Sequence, residues 1–243
     1  MKLGFLGCGT IASAVVAGIA EQGHDIRVSQ RNAHHAQALA QRFENVQVLD
    51  NASLLAESDW VVVGLLPEVA QVLLPQLSFR PDHQVVSMMA ALSLQDVKAL
   101  IGPAQARAIM LPFPSIAHGP SPVLAQGDVS AVAAILGRQH PVFDVHSPEG
   151  LKAYLSAQAI LSPMAELVNT TAQWMGAHGV NPNEGEAFLR ALLASNLQAG
   201  PCTALVQALD TPGGFNQRMR LHVQASGLPS HWLEGLSALH RTA

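Results

Sequence analysis

The sequence predicts an α/β chain, with a doubly wound parallel sheet at the N-terminus followed by an all-helical domain. Three observations support this fold class. Short β-type runs alternate with helical runs through about the first 145 residues. The connections between them are short, which favours parallel strands joined by helices. Beyond Ser147-Pro148 apolar residues recur at helical spacing, with no convincing strand. We therefore predict domains at 1–147 and 148–243.

Eight runs are rich in β-branched and apolar residues. The continuous apolar run WVVVGL is typical of a strand with both faces covered by helices. The predicted strands are Lys2–Leu6, His24–Ser29, Val46–Asp50, Trp60–Leu65, Gln84–Met88, Ala106–Leu111, Pro122–Ala125 and Val142–Val145.

Capping residues set the helix boundaries in the first domain. Asn32 and Asn51 are predicted N-caps, Pro67 stands at a helix start, and Ser93 with Asp96 forms a capping box. Gly23 ends the first helix. The predicted helices include Thr10–Gln22, Asn32–Phe43, Ser93–Gly102 and Asp128–Gln139.

The second domain is predicted to open with one long helix, Glu149–His178. Shorter helices follow from Asn183, Pro201, Gly214 and Ser230. Their amphipathic pattern suggests burial against a partner, so we expect at least a homodimer.

Composition excludes several classes of protein. Hydrophobic residues make up 49% of the chain and charged residues 12%, which argues against disorder. The 13 Lys and Arg are scattered and the net charge is −4, so we expect no nucleic-acid partner. No apolar run approaches the length of a membrane helix. Two cysteines and no paired helical histidines predict neither disulfides nor a metal site, and favour the cytoplasm.

The first strand runs into a glycine-rich turn at the start of a helix. The residues Gly7-Cys8-Gly9-Thr10-Ile11-Ala12 follow the pattern G-x-G-x-x-A. Gly7 permits the tight turn, Gly9 lets backbone approach a pyrophosphate, and Ala12 allows close packing of helix and strand. The free N–H groups and dipole of the helix favour phosphate. The turn therefore predicts a Rossmann-type dinucleotide site.

The end of the second strand indicates which dinucleotide binds. Enzymes that use NAD usually carry an acid here, to bond the ribose 2′-hydroxyl. This chain has Ser29, Arg31 and Asn32 in that loop and no acid. A hydroxyl and a guanidinium suit a 2′-phosphate, so we predict NADP, with NADPH as hydride donor.

Several segments resemble pyrroline-5-carboxylate reductases, the NADP-using enzymes of the last step of proline synthesis. They include GFLGCGTIASAVVAGI, VSQRN and the turn Thr211-Pro212-Gly213-Gly214. The resemblance implies an enzyme that reduces a cyclic imine carboxylate. Its small-molecule partner would then be an imino or amino carboxylate. The resemblance also implies a helical domain that pairs with a second subunit. By the same resemblance, cofactor contacts would come from Leu65, Leu66, Pro67, Met89, Ala90 and Pro112. Substrate contacts would come from Thr211, Gly213, Gly214 and Asn216.

The chain departs from that family at the substrate side. The family's Lys-Pro is Leu66-Pro67 here, and its M-P-N-T-P segment is Leu111–Ser115, which includes Phe113-Pro114. The two threonines that follow its turn are Phe215-Asn216. Phe215 predicts a reshaped pocket and a substrate that differs from pyrroline-5-carboxylate. The glycines of the turn could also form a plain turn between helices.

The loop after the sixth strand offers two candidate proton donors, Ser115 and His118. Imine reduction needs little from the protein beyond placing the imine carbon near the hydride donor. Cys8 could have a lowered pKa at a helix N-terminus, although we favour a small spacer there. Trp174 and Met175 are interpreted as packing residues.

Two other functions remain open. An NADP-dependent β-hydroxyacid dehydrogenase has a similar domain order and pairs a Lys with an Asn four residues later. Here Lys152 is followed by Ser156 at that spacing. The second alternative is a non-catalytic NADP-binding sensor, which the altered family motifs favour.

Overall fold

The structure, a computed structural model, describes residues 1–242 and divides into two compact units. The first is Met1–His146, and the second begins at Ser147. The first unit is built on one eight-stranded sheet. The second consists of helices within the described residues.

The sheet has the strand order β3-β2-β1-β4-β5-β6-β7-β8. Every neighbouring pair from β3 to β6 is parallel. The chain leaves β1 towards β2 on one side and β4 on the other, which makes the carboxyl ends of β1 and β4 a topological switch point. The predicted fold class is confirmed. The strands are β1 Lys2–Leu6, β2 Asp25–Ser29, β3 Val46–Leu49, β4 Trp60–Val63, β5 Gln84–Ser87, β6 Gln105–Pro112, β7 Val123–Gly127 and β8 Val142–Asp144.

The sheet is not parallel throughout, which corrects the prediction. β6 and β7 pair antiparallel, from Ala108 opposite Gly127 to Pro112 opposite Val123. The connection between them contains only a 3₁₀ turn, Pro114–His118. A parallel pair needs a longer crossover, usually a helix, so this short connection returns the chain antiparallel.

Helices cover both faces of the sheet, as a doubly wound fold requires. One hydrophobic core joins strand residues such as Phe5 and Val62 to Val15, Ala36 and Ile135 of the helices on that face. The opposite core joins other strand residues to the helices after β3, β4 and β5. The helices are α1 Thr10–Ile19, α2 Ala33–Arg42, α3 Asn51–Glu57, α4 Pro67–Leu73, α5 Leu94–Leu100 and α6 Val129–Leu136.

Two of the predicted caps are corrected by the structure. Asp50, not Asn51, is the N-cap of α3, and its carboxylate accepts from the N–H groups of Ala52 and Ser53. Asn32 stands at the N-cap position of α2 but makes no side-chain capping bond. The capping box at Ser93 is present.

The second unit contains six helices within the described residues. The predicted long helix is broken, because a 3₁₀ turn at Gln158–Ile160 separates its two halves. Pro163 lies three residues beyond that turn and has no N–H to continue the helical ladder. The helices are α7 Pro148–Ala157, α8 Leu161–Gly176, α9 Pro182–Gln198, α10 Cys202–Ala208, α11 Phe215–Ala225 and α12 Leu228–Thr242.

Candidate functional site

The glycine-rich turn joins β1 to α1 at the switch point. Gly7 has φ +93°, and a Cβ there would lie 2.3 Å from the carbonyl oxygen of Gly64. Glycine is therefore required at position 7 by the fold itself. Ala12 is buried, and its Cβ would lie 3.3 Å from a Cβ at Gly64, so α1 packs closely on the end of β4.

Gly9 differs from Gly7 because nothing in the protein requires it. Its backbone has φ −81° and ψ −173°, which any residue adopts, and a Cβ there would meet no atom within 4 Å. The space in front of its backbone is open. A glycine that the fold does not need fits a site where a ligand must approach the backbone closely.

The N-terminus of α1 has no partner within residues 1–242. No side chain caps it, and the first amide bonded inside the helix is that of Ser13, which donates to Gly9 O at 2.9 Å. The N–H groups of Thr10, Ile11 and Ala12 precede that bond. Free amides and a positive helix dipole beside an open space are features that favour the binding of an anion.

Cys8 is a packing residue in this turn. Its side chain is buried, and burial raises the pKa of its thiol to about 11. A thiol with a raised pKa stays protonated near neutral pH. The spacer interpretation fits this position.

Ser29 does not present its hydroxyl to the loop that carries Arg31, contrary to the prediction. It is 1% exposed, and its Oγ accepts a hydrogen bond of 2.9 Å from the N–H of Gly7. The last residue of β2 is thus bonded to the turn after β1, the neighbouring strand. Its hydroxyl is not accessible to a 2′-phosphate.

A cleft of about 800 Å³ opens beside Arg31. Arg31 is exposed and is the cation of this cleft, and Asn32 lies half-exposed at the start of α2. The apolar side of α4 forms one wall. The sequence analysis did not assign Gln30, Asp50, Asn51 or Glu68 to this site. The position of Asp50-Asn51 directly after β3 could have indicated that these two residues lie at the same edge of the sheet. The lining residues are Gln30, Arg31, Asp50, Asn51, Ala52, Glu68, Val69, Val72, Leu73, Gln76 and Leu77.

The segments that follow β4, β5 and β6 come from adjacent strands and meet at one edge of the sheet. Leu66 is 64% exposed at the N-cap of α4, with Pro67 as the first residue of that helix. Leu65 and Pro112 are half-buried and Ala90 is exposed. Met89, by contrast, is 3% exposed and packs in the core. Its side chain therefore cannot line a cofactor.

Ser115 and His118 lie in the 3₁₀ turn after β6, which packs along α1. A Cβ on Gly18 would lie 2.4 Å from the carbonyl oxygen of Ile116. Gly18 is eight residues beyond the start of α1, or about 12 Å along the helix. Ser115 Oγ lies 2.8 Å from the Oγ of buried Ser121. Within the described residues neither candidate hydrogen-bonds to the phosphate turn, and their role as proton donors stays a prediction.

In the second unit, Thr211–Gly214 forms a hydrogen-bonded turn. Gly214 N donates to Thr211 O at 2.9 Å, and Gly213 has φ +74°. Gly213 N donates to Gln217 Oε1, also at 2.9 Å. Both glycine amides therefore have partners in this chain, as in a plain turn between helices. Asn216 is exposed.

The surroundings of that turn carry an ion pair and an exposed ring. Arg220 and Gln217 both hydrogen-bond Asp210, and these bonds lower the pKa of its carboxyl. Phe215 is 88% exposed at the start of α11. Ser156, the residue four after Lys152, donates its hydroxyl to Lys152 O at 2.7 Å. Ser156 is buried, and that bond occupies the hydrogen of its hydroxyl.

None of the described helices is both long and apolar enough to span a membrane. No group of three or more His, Cys, Asp or Glu side chains within residues 1–242 could hold a metal ion.

Comparison with known proteins adds sequence and structural relatives. Residues 2–91 match the family model described as NADP oxidoreductase coenzyme F420-dependent. The pyrroline-5-carboxylate reductase of Pseudomonas aeruginosa is 29% identical over 141 residues, 54% of this chain and 50% of that protein. The chain thus spans about half the length of this curated relative.

Solved structures share the fold over nearly the whole chain. A pyrroline-5-carboxylate reductase from Coxiella burnetii has a TM-score of 0.82 and 15% identity, covering 99% of this chain and 96% of that one. The Plasmodium falciparum pyrroline carboxylate reductase, solved with NADP bound, has a TM-score of 0.74 and 14% identity, covering 100% and 96%. The resemblance noted in the sequence is thus supported by one sequence relative, and the solved structures share the fold.

Proposed function

We propose that this protein is an NADP-dependent reductase acting on a C=N bond, similar to pyrroline-5-carboxylate reductases. The open space at Gly9 is the observation that carries the proposal. Neither a steric neighbour nor the backbone angles require glycine there, and the free amides of α1 favour an anion in front of it. The sequence relative in Pseudomonas aeruginosa supports the same conclusion.

NADP is the proposed cofactor because Arg31 supplies a cation beside the cleft and no acid ends β2. Asp50 also lines the cleft, but its carboxylate caps α3 through Ala52 and Ser53. A guanidinium binds a phosphate through paired, charge-assisted hydrogen bonds. We place the pyrophosphate at Gly7–Ala12 and the 2′-phosphate at Arg31.

The proposed substrate is a small cyclic imine that carries a carboxylate, the class to which pyrroline-5-carboxylate belongs. When bound, NADPH would supply a hydride to the carbon of the protonated imine, whose nitrogen keeps its proton, so that the product is a secondary amine. The protein must bind and orient the imine and exclude water. Leu65, Leu66 and Ala90 present an apolar surface at the sheet edge for this purpose.

The protein is proposed to act as a homodimer through its helical unit. Large apolar side chains of this unit are exposed, including Leu161, Trp174, Phe188 and Leu233. Exposed apolar surface on this scale is typical of an interface. Light scattering at micromolar concentration should give twice the mass of the chain, and a monomer would contradict this part. We also propose a cytoplasmic location, which two free cysteines support.

NADPH oxidation by the purified protein tests the proposal. The substrates are pyrroline-5-carboxylate, neutral cyclic imines and 2-oxo acids. We expect turnover with the imines and none with the oxo acids. Turnover of the oxo acids alone would favour the dehydrogenase. Tight NADPH binding without turnover of any substrate would favour the sensor.

A further inference from the structure

Ser29 occupies a buried position that ties together the two halves of the proposed cofactor site. It ends β2, next to the loop that carries Arg31. Its Oγ accepts the N–H of Gly7, which opens the phosphate turn. A short polar side chain at the end of β2 thus contacts the neighbouring turn instead of the solvent.

We propose that Ser29 is a positioning residue: it fixes Gly7 and so aligns the pyrophosphate turn, without contacting the cofactor. This inference rests on the proposed binding of NADP at that turn. It reassigns Ser29 from 2′-phosphate recognition to the geometry of the amides that receive the pyrophosphate. Recognition of the 2′-phosphate is then left to the exposed part of the loop, with Arg31 as its cation.

The turn is held from two sides. Gly7 is in the left-handed region at φ +93°, and its α-carbon packs directly on the Gly64 backbone. On the other side, the bond to Ser29 fixes the direction of the Gly7 amide. Gly64 is itself fixed, since its N–H donates to Leu6 O at 2.8 Å. Ser29 supplies the side-chain hydrogen bond in this arrangement, while the Gly64 backbone and the Leu65 side chain supply the steric contacts.

Removing the hydroxyl leaves a buried N–H without a partner. Such a group costs free energy, and a shift of the turn towards another acceptor would relieve it. The amides of Thr10, Ile11 and Ala12 follow directly on the turn and would move with it. A site preorganised for an anion loses affinity when its donors move.

The shared chemistry of the two dinucleotides makes this testable. NADPH and NADH have the same pyrophosphate and differ by the 2′-phosphate. A residue that aligns the turn affects both equally. A residue that touches the 2′-phosphate affects NADPH alone.

The experiment measures the Kd of NADPH and of NADH by calorimetry for wild type, Ser29→Ala and Ser29→Thr. We expect Ser29→Ala to weaken both by the same factor, on the order of tenfold. Ser29→Thr keeps the hydroxyl and should restore both affinities. Melting curves establish that each variant is folded at the temperature of the titration.

Two controls separate the bond from general effects. Ser58→Ala removes a buried hydroxyl that has no partner within residues 1–242, and should leave both affinities unchanged. Asn45→Ala removes two hydrogen bonds, to Ala20 O and His24 O, before β3 starts. It should lower the melting temperature without changing either Kd.

The outcomes are distinct. Loss of NADPH affinity alone in Ser29→Ala would show a 2′-phosphate contact and overturn the inference. Unchanged affinity for both dinucleotides would overturn it as well. Failure of wild type to bind either dinucleotide would instead overturn the proposed function, and with it the premise of this inference.

Discussion

Replacing Gly9 with alanine separates the ligand's requirement for glycine from that of the fold. Gly9 has ordinary extended angles, and an added Cβ would meet no atom within 4 Å. In the free protein the gain from a less flexible unfolded chain, roughly 0.4–1 kcal/mol, is opposed by the poorer capping of alanine at the N-cap of α1, so the free energy of unfolding should change little. For a chain of this size, the melting temperature should shift by no more than a few degrees.

The affinity for NADPH should change much more than the stability of the free protein. The added methyl group would stand where the pyrophosphate approaches the backbone, and overpacking of this kind costs about 1–3 kcal/mol. At about 1.4 kcal/mol per tenfold change, the Kd for NADPH should rise roughly 5- to 150-fold. A single substitution should thus leave the stability of the free protein nearly unchanged and weaken the complex.

Thermal melting and calorimetric titration give the two readings on the same samples. Gly200→Ala is the matched control, since a Cβ there also meets no atom within 4 Å and the residue lies between α9 and α10. Gly7→Ala gives the contrast, because its Cβ would lie 2.3 Å from Gly64 O and must destabilise the fold. Undiminished NADPH affinity in Gly9→Ala would refute the reasoning.

Three further predictions concern other positions. Thiol reagents at about pH 8 should modify exposed Cys202 and leave Cys8 intact until the protein is denatured, because burial raises the pKa of the Cys8 thiol. Reaction of the native Cys202→Ser variant with the reagent would contradict this. Gln217→Ala should lower the KM for pyrroline-5-carboxylate several-fold at constant kcat, since it frees Gly213 N–H for the carboxylate; an unchanged KM would place the carboxylate elsewhere. Burial lowers the pKa of His83, and its neutral ring accepts a hydrogen bond from the N–H of Arg80. The free energy of unfolding should therefore be constant in this respect above about pH 6.5 and decrease as the pH drops below that value. In urea unfolding, the free energy of unfolding should decrease less on acidification for His83→Asn than for wild type. Equal decreases would contradict this role of His83.

The sequence predicted the parts of the fold that depend on local pattern. The strands of the first unit and the turn at Gly7–Ala12 follow from apolar runs and glycine spacing. The direction of β7 does not, since pattern alone does not give strand direction. The missing helical pattern between Pro112 and Val123 was the available signal, because a connection without a helix favours an antiparallel return.

Side-chain roles were harder to predict where two residues have similar propensities. Asp50 and Asn51 are adjacent and both are good N-caps, so only the backbone decides which one caps α3. Ser29 was assigned to phosphate binding because serine commonly does so, but its register on β2 turns the hydroxyl inward to Gly7. Gly9 was predicted to let a pyrophosphate approach the backbone, and the space in front of its backbone is open.

The most direct test is the ratio of the Kd for NADH to the Kd for NADPH, measured by calorimetry at one fixed salt concentration. The proposal predicts that wild type binds NADPH at least about tenfold more tightly, a preference that Arg31→Ala abolishes by weakening NADPH alone. Arg42→Ala, at the other end of α2, should keep the wild-type ratio. Equal affinity for the two dinucleotides, or no binding of either, would contradict the account.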